Sequence, residues 1–245
     1  MELFRNLRIA FGFLTIIPIN PRGFEAGSLG AAVKFFPVVG LIQGLFIWGL
    51  LYVLPRIFPL GVAVWLTVFA SAFLNGFIHW DGLADTADSL GSRDPEKSLM
   101  IMKDSRLGAF GVIGLCLLIS GKIFALMQLT GLAILVIVSI PVISRWGMAV
   151  LLYTQPPVSQ GLLQNFRFLT PRRDLSIATG LMLIVAVAAG MKGLFLLGIT
   201  IANLFLMAWL IRKRWGGITG DILGASNELI ELVCFLALNL KFRIN

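Results

Sequence analysis

Seven apolar stretches, at roughly 35–54, 59–80, 108–129, 131–153, 175–191, 193–211 and 222–240, leave this chain few ways to fold. About 20 predominantly apolar helical residues cross a bilayer. In lipid each backbone N–H and C=O must be paired within its own segment, which makes such stretches helices. With 58% hydrophobic and 13% charged residues and a mean hydropathy of +0.93, the 245-residue chain would expose far too much apolar surface in water. A water-soluble dehydrogenase and a nucleic-acid binder are both excluded. The expected architecture is an all-α, polytopic transmembrane helix bundle of about seven spans. It forms one domain over residues 1–245, surrounded by membrane lipid, with no evident repeat or linker.

Ahead of the first span, Arg5 and Arg8 precede an apolar run from Ile9 to Ile19. The run is too short to cross, and Pro18, Asn20 and Pro21 stand where a signal peptide would carry small residues. It reads as an uncleaved interfacial or re-entrant helix. Basic residues set the orientation. With the amino terminus in the cytoplasm, the inside segments collect Arg5, Arg8, Arg22, Lys34, Arg93, Lys97, Lys103, Arg106, Arg167, Arg172, Arg173, Arg212, Lys213 and Arg214, and the outside only Arg56, Lys192, Lys241 and Arg243. This bias predicts the amino terminus in, the carboxyl terminus out and the acidic residues at the cytoplasmic side of a cell (inner) membrane. Cys116 and Cys234 lie in separate apolar runs without a CxxC and read as packing residues.

Against so little charge, the stretch His79 to Gly111, HWDGLADTADSLGSRDPEKSLMIMKDSRLGAFG, stands out because it holds Asp81, Asp85, Asp88, Asp94, Glu96 and Asp104, half of the 12 acids. On a helix Asp81, Asp85 and Asp88 fall at i, i+4 and i+7, within about a 60° arc. Three carboxylates on one face repel unless something positive lies between them, and hard oxygens in a cluster suit a divalent cation such as Mg²⁺. The alternative is a solvated acidic face. Ionisable residues at the mouth of a membrane bundle favour the metal site, and Gly82, Ala84, Ala87 and Gly91 leave room for a bulky partner.

A second constellation, RWGGITGDILGASNELIELVCF, puts Gly216, Gly217 and Gly220 before Asp221, with Glu228 and Glu231 inside the following apolar run. An unpaired carboxylate there costs about 2.5–3.5 kcal/mol on insertion scales. Either a shared metal or a buried basic partner such as Arg145 or Lys122 compensates. The glycines can form a nest of N–H groups for an anion, with Gly217 and Gly220 as phosphate contacts. The loop Thr154 to Asp174 contributes Gln155, Gln160, Gln164, Asn165 and Arg167, which line a substrate entrance or form a solvated connector.

Two carboxylate-bearing helices can hold Mg²⁺ ions at the spacing that clamps a transferring phosphoryl group, while Lys103, Arg106, Arg93 and Arg167 neutralise a diphosphate. Asp104, between Lys103 and Arg106, reads as a further ligand or as a salt-bridge partner. Phosphoryl transfer is mostly positioning and charge neutralisation, so no nucleophilic triad is required.

At these residues a resemblance emerges. DGLADTAD (Asp81–Asp88), IMKDSRLGAFG (Ile101–Gly111) and GGITGDILGASNELIE (Gly216–Glu231) closely resemble the cobalamin (5′-phosphate) synthase family, also called adenosylcobinamide-GDP ribazoletransferase, and the likeness extends over essentially the whole chain. Ser89 and Trp80 depart from the residues common in that family but remove no candidate ligand. The resemblance implies an integral membrane enzyme that joins adenosylcobinamide-GDP to α-ribazole or its 5′-phosphate with Mg²⁺, releasing GMP. Its partners are then these corrinoid and ribazole small molecules, and self-association or association with other enzymes of the pathway is compatible with it. His79, the one histidine, reads as a structural residue, as a hydrogen-bond partner of the carboxylates, or as a cobalt ligand. A phospholipid-making alcohol phosphotransferase fits less well, since the arginine that class carries after DGxxA is missing from Asp81–Asp88. A cation transporter leaves the glycines and the basic residues unemployed.

Overall fold

The computed structural model describes residues 2–17, 30–158 and 170–240. Among them ten α-helices follow one another: α1 (Glu2–Leu14), α2 (Phe36–Val53), α3 (Leu60–Leu74), α4 (Ile78–Ser89), α5 (Pro95–Met102), α6 (Ala109–Met127), α7 (Ile134–Thr154), α8 (Arg172–Ala188), α9 (Gly190–Trp215) and α10 (Gly220–Ala237). No strand occurs among the described residues; Pro157 and Ile218 form an isolated parallel bridge. The fold is therefore all-α, as the apolar patterning requires.

Helix α7 is the axis of the bundle. Its most apolar window is 83% buried, against 28–39% in the other three helical segments long and apolar enough to cross a membrane, Gly30–Arg56, α6 and α9. Gly40 and Gly44, one turn apart on α2, let the two backbones touch: a Cβ on Gly40 would lie 2.3 Å from the Pro141 carbonyl oxygen, and one on Gly44 2.7 Å from Val138 Cα. Close approach through small residues is how membrane helices associate when lipid removes the hydrophobic drive between them.

Among the described residues, length and composition support four spans, or five if the pair α3 and α4 is one broken span, against the seven or so expected from the apolar runs. The difference has identifiable causes. Helix α8 has only 17 residues. Helix α10 carries Asp221, Glu228 and Glu231 within 18 residues. The run 59–80 is not one helix, because Gly76 and Phe77 both take left-handed backbone (φ 61° and 58°) and turn the chain by 90° between α3 and α4. Such a conformation is costly for a bulky residue, and the Phe77 ring is held against Phe69, Phe73 and Trp80, with centroids 5.3–6.1 Å apart. By itself α4, 12 residues with three aspartates, is neither long nor apolar enough to cross. At the amino terminus the helix is Glu2–Leu14, starting ahead of the expected Ile9–Ile19 run. It buries Asn6, Ile9, Ala10 and Leu14 and leaves Leu3 and Phe4 exposed. Thirteen residues cannot span, in keeping with an interfacial helix.

Candidate active site

The aspartate-rich helix α4 is clamped by glycines and by the end of α9. A Cβ on Gly82 would fall 2.7 Å from the Asp221 carbonyl oxygen, and one on Gly224 3.2 Å from His79 Cα, so α4 and α10 run in backbone contact. At the other end Arg214 donates to the Ser89 and Leu90 carbonyls (3.3 Å each), and the Trp215 indole N–H donates to Ser89 Oγ (3.0 Å). Those carbonyls are among the groups a helix leaves unpaired at its carboxyl end, where a cation is favoured. The sequence reading assigned Arg214 and Trp215 no role here; the only signal was that they immediately precede the glycine block.

This clamp brings Asp221, in the first turn of α10, to Asp81 and Asp85. Asp81 is exposed, while Asp85 and Asp221 are half-buried. Burial, and then the charges of Asp81, Asp221 and Asp88, push Asp85 up from an ordinary 3.8 to about 6. Burial and the charge of Asp81 also raise Asp221. Among the described residues no Lys or Arg forms an ion pair with Asp81, Asp85 or Asp221. These three acids, near enough to feel one another's charge and without a cationic partner among the described residues, are termed the aspartate cup.

Asp88 shares the face predicted for it but is already engaged. Its Oδ2 accepts the Gly108 N–H (2.7 Å) and its Oδ1 the Gly111 N–H (2.8 Å). These are free donors at the start of α6, which Asp88 caps from a distance. A Cβ at either glycine would strike the carboxylate, at 2.4 Å for Gly108 and 2.5 Å for Gly111. That explains the LGAFG segment. Asp104 is not brought into the cup. It accepts from Arg106 Nη2 (2.6 Å) and Nε (3.1 Å), the salt-bridge arrangement that the sequence offered as one of its two readings. The Arg106 interaction also lowers the Asp104 pKa. Arg93, ahead of α5, and Lys103, directly after it, are exposed, and Arg167 lies outside the described residues, as do Gln160, Gln164 and Asn165.

The glycine block divides its work. Gly216 ends α9 in left-handed backbone (φ 75°). Gly217 packs on the Pro156 carbonyl oxygen, 2.2 Å from where its Cβ would be, and Ile218 N–H donates to that same oxygen (2.7 Å). Gly220 opens α10, where Thr219 Oγ1 accepts the Ile222 N–H (3.2 Å). Close packing accounts for Gly217 without an anion, whereas Gly220 faces open space next to Asp221.

Glu228 and Glu231, expected with the metal, instead face basic residues in the core. Lys122 Nζ donates to Glu228 Oε2 (2.5 Å) and Glu231 Oε2 (2.7 Å), and Arg145 Nη1 donates to Glu231 Oε1 and Ser144 Oγ (2.9 Å). All four charged residues are at most 5% exposed. The charges sum to zero, and both carboxylates are consumed, so the metal assignment for these two is corrected to a buried ion network. His79 belongs to it: Nδ1 lies 3.2 Å from Asn227 Nδ2 and 3.7 Å from Glu228 Oε1.

Among the described residues no three His, Cys, Asp or Glu side chains gather closely enough to hold a metal ion by themselves. The donor set of Asp81, Asp85 and Asp221 nevertheless fits Mg²⁺, which usually binds through one or two carboxylates and completes its shell with water and substrate phosphates.

No solved structure matches the chain. Among curated proteins it is 36% identical to an adenosylcobinamide-GDP ribazoletransferase of Desulforamulus reducens over 242 residues, covering 96% of this chain and 97% of the relative. It is 37% identical to a protein of the same name from Syntrophobacter fumaroxidans, covering 93% and 95%. The one from Geotalea daltonii is 36% identical, covering 94% and 95%. The cobalamin-5-phosphate synthase family model matches residues 6–239, a range that contains the aspartate cup, its glycine clamp and the buried ion network. The chain belongs to the cobalamin-5-phosphate synthase family.

Proposed function

We propose that this protein is an adenosylcobinamide-GDP ribazoletransferase, as its full-length relatives are named, and that the cup of Asp81, Asp85 and Asp221 is its catalytic centre. The observation that carries the site is the backbone contact at Gly82, which sets Asp221 of α10 beside the aspartate-bearing turn of α4, with no cationic partner for Asp81, Asp85 or Asp221 among the described residues. A hydroxyl of α-ribazole or its 5′-phosphate attacks the phosphorus next to cobinamide. The new O–P bond forms as the bond to the diphosphate bridge oxygen breaks, GMP leaves with that oxygen, and the hydroxyl proton passes to solvent or a carboxylate.

Asp81, Asp85 and Asp221 would hold Mg²⁺ together with diphosphate oxygens and water; bound there, the ion neutralises charge on the diphosphate. Asp88 keeps α4 in register with α6. Arg93, ahead of α5, and Lys103 and Arg106, after it, would meet the remaining phosphate charge, Arg106 by exchanging Asp104 for phosphate. The cup faces the cytoplasm under the orientation that the basic residues favour. Purified protein given adenosylcobinamide-GDP, α-ribazole and Mg²⁺ should release GMP, and a chelator should stop it. No GMP with either form of ribazole, from protein of intact helical content, overturns the assignment.

A further inference from the structure

A groove of about 810 Å³ runs between α7 and α9, floored by Trp146 and Leu151 and walled by Phe205 and Trp209, with Arg212 and Lys213 at one end. It contains none of the carboxylates of the proposed site, and its size falls in the range of about 300–1,000 Å³ typical of small-molecule sites. Phe205 is 75% and Trp209 54% exposed on a helix long and apolar enough to cross a membrane, so this side of α9 faces acyl chains.

The charged end supplies the second observation. At 1.5 Å per residue the 26 residues of α9 span about 39 Å, beyond the roughly 30 Å of hydrocarbon. The last turn, Arg212–Lys213–Arg214, therefore emerges at headgroup level. Arg212 is held over the groove end by hydrogen bonds to Gln155 Oε1 (2.9 Å) and the Thr154 carbonyl (3.1 Å). Lys213 Nζ sits 4.6 Å from the Trp209 ring centroid. Neither cation has an acidic partner among the described residues. An apolar trough ending in two fixed cations and an interfacial tryptophan complements one kind of molecule, an acyl chain joined to a phosphate.

We infer that the α7–α9 groove is a binding site for an anionic glycerophospholipid, with one acyl chain along Trp146 and Phe205 and its phosphate at Arg212 and Lys213. A corrinoid nucleotide is too polar for such a lining, and a second protein chain has no use for the paired cations unless it brings an acid to them.

The test uses full-length protein in phosphatidylcholine nanodiscs containing a trace of phosphatidylglycerol with a photoreactive acyl chain, the labelled residues being mapped after illumination. Labelling should concentrate on Val150, Phe205 and Ala208 over Leu117 and Phe124, which are exposed on α6. Excess unlabelled phosphatidylglycerol should compete and the same excess of phosphatidylcholine should not. Lys213→Gln should weaken apparent binding by about fivefold, the worth of one interfacial charge. Ala208→Trp, which fills the groove and keeps both cations, should remove the label while size-exclusion and thermal unfolding profiles stay unchanged. Even labelling of α6 and α9, equal competition by phosphatidylcholine, or a groove closed to the probe by the protein's own chain or a second copy would overturn the inference.

Discussion

Asp81 and Asp88 occupy the same face of α4, yet tertiary contacts give them different work. Asp81 is exposed and has no hydrogen-bond donor among the described residues, whereas both oxygens of Asp88 are bound to the start of α6. Asp81→Ala should lower turnover about 100-fold or more at limiting Mg²⁺ with the melting temperature unchanged. Asp88→Ala should lose activity and also about 0.5–2 kcal/mol of stability, the usual worth of a helix cap, measured by thermal unfolding in detergent. Equal stability of the two variants would count against the capping role. Asp85 makes a pH prediction. Its folded value of about 6 lies above its ordinary 3.8, so the folded, metal-free protein binds the extra proton between those values. The stability contribution of this group is present at low pH and falls as pH rises through about 6. Asp85→Asn should therefore raise the melting temperature of chelated protein at pH 7.5 and change it much less at pH 4.5, and Mg²⁺ should reduce the gain at pH 7.5 by compensating the native carboxylates.

Helices α6, α7 and α10 are tied where none could stay charged alone. Lys122, Arg145, Glu228 and Glu231 each come from a segment that would otherwise enter lipid unpaired, and the network makes α10, the helix bearing Asp221, part of the bundle core. Removing one partner of a buried pair leaves its mate uncompensated and typically costs about 3–5 kcal/mol. Lys122→Met or Glu231→Gln should be destabilising by that order in a thermal or denaturant titration. The pair Glu231→Gln with Arg145→Met should cost less than the sum of its two single changes. If the folded Glu231→Gln protein instead needs more Mg²⁺ for half-maximal turnover at unchanged stability, the metal role returns to that residue. The apolar setting of these carboxylates in sequence already demanded compensation and named Lys122 and Arg145 as suppliers. Choosing between them and a metal needed the distances.

At the scale of the whole molecule, the distribution of Lys and Arg predicts an N-in, C-out chain with the aspartate cup toward the cytoplasm. An odd number of crossings is needed for that, and the four or five supported by length and composition differ on it. A reporter fused after Asn245 should be active outside and one inserted near Gln160 inside; a carboxyl-terminal reporter active only in the cytoplasm would leave an even number of crossings. By itself the sequence determined the all-α membrane class of the protein, the family and the Asp81–Asp85–Asp88 face, because hydrophobic length, 3.6-residue periodicity and a distinctive motif are all local along the chain. Only the tertiary structure decided which acids converge. Asp221 joins Asp81 and Asp85 through the Gly82 contact, Asp88 turns to α6, Asp104 pairs with Arg106, and Glu228 and Glu231 go to Lys122 and Arg145. A carboxylate's role is set by the charge or N–H nearest to it in space, and those neighbours come from helices distant in sequence, brought together by backbone contact at glycines and by the left-handed turn at Phe77.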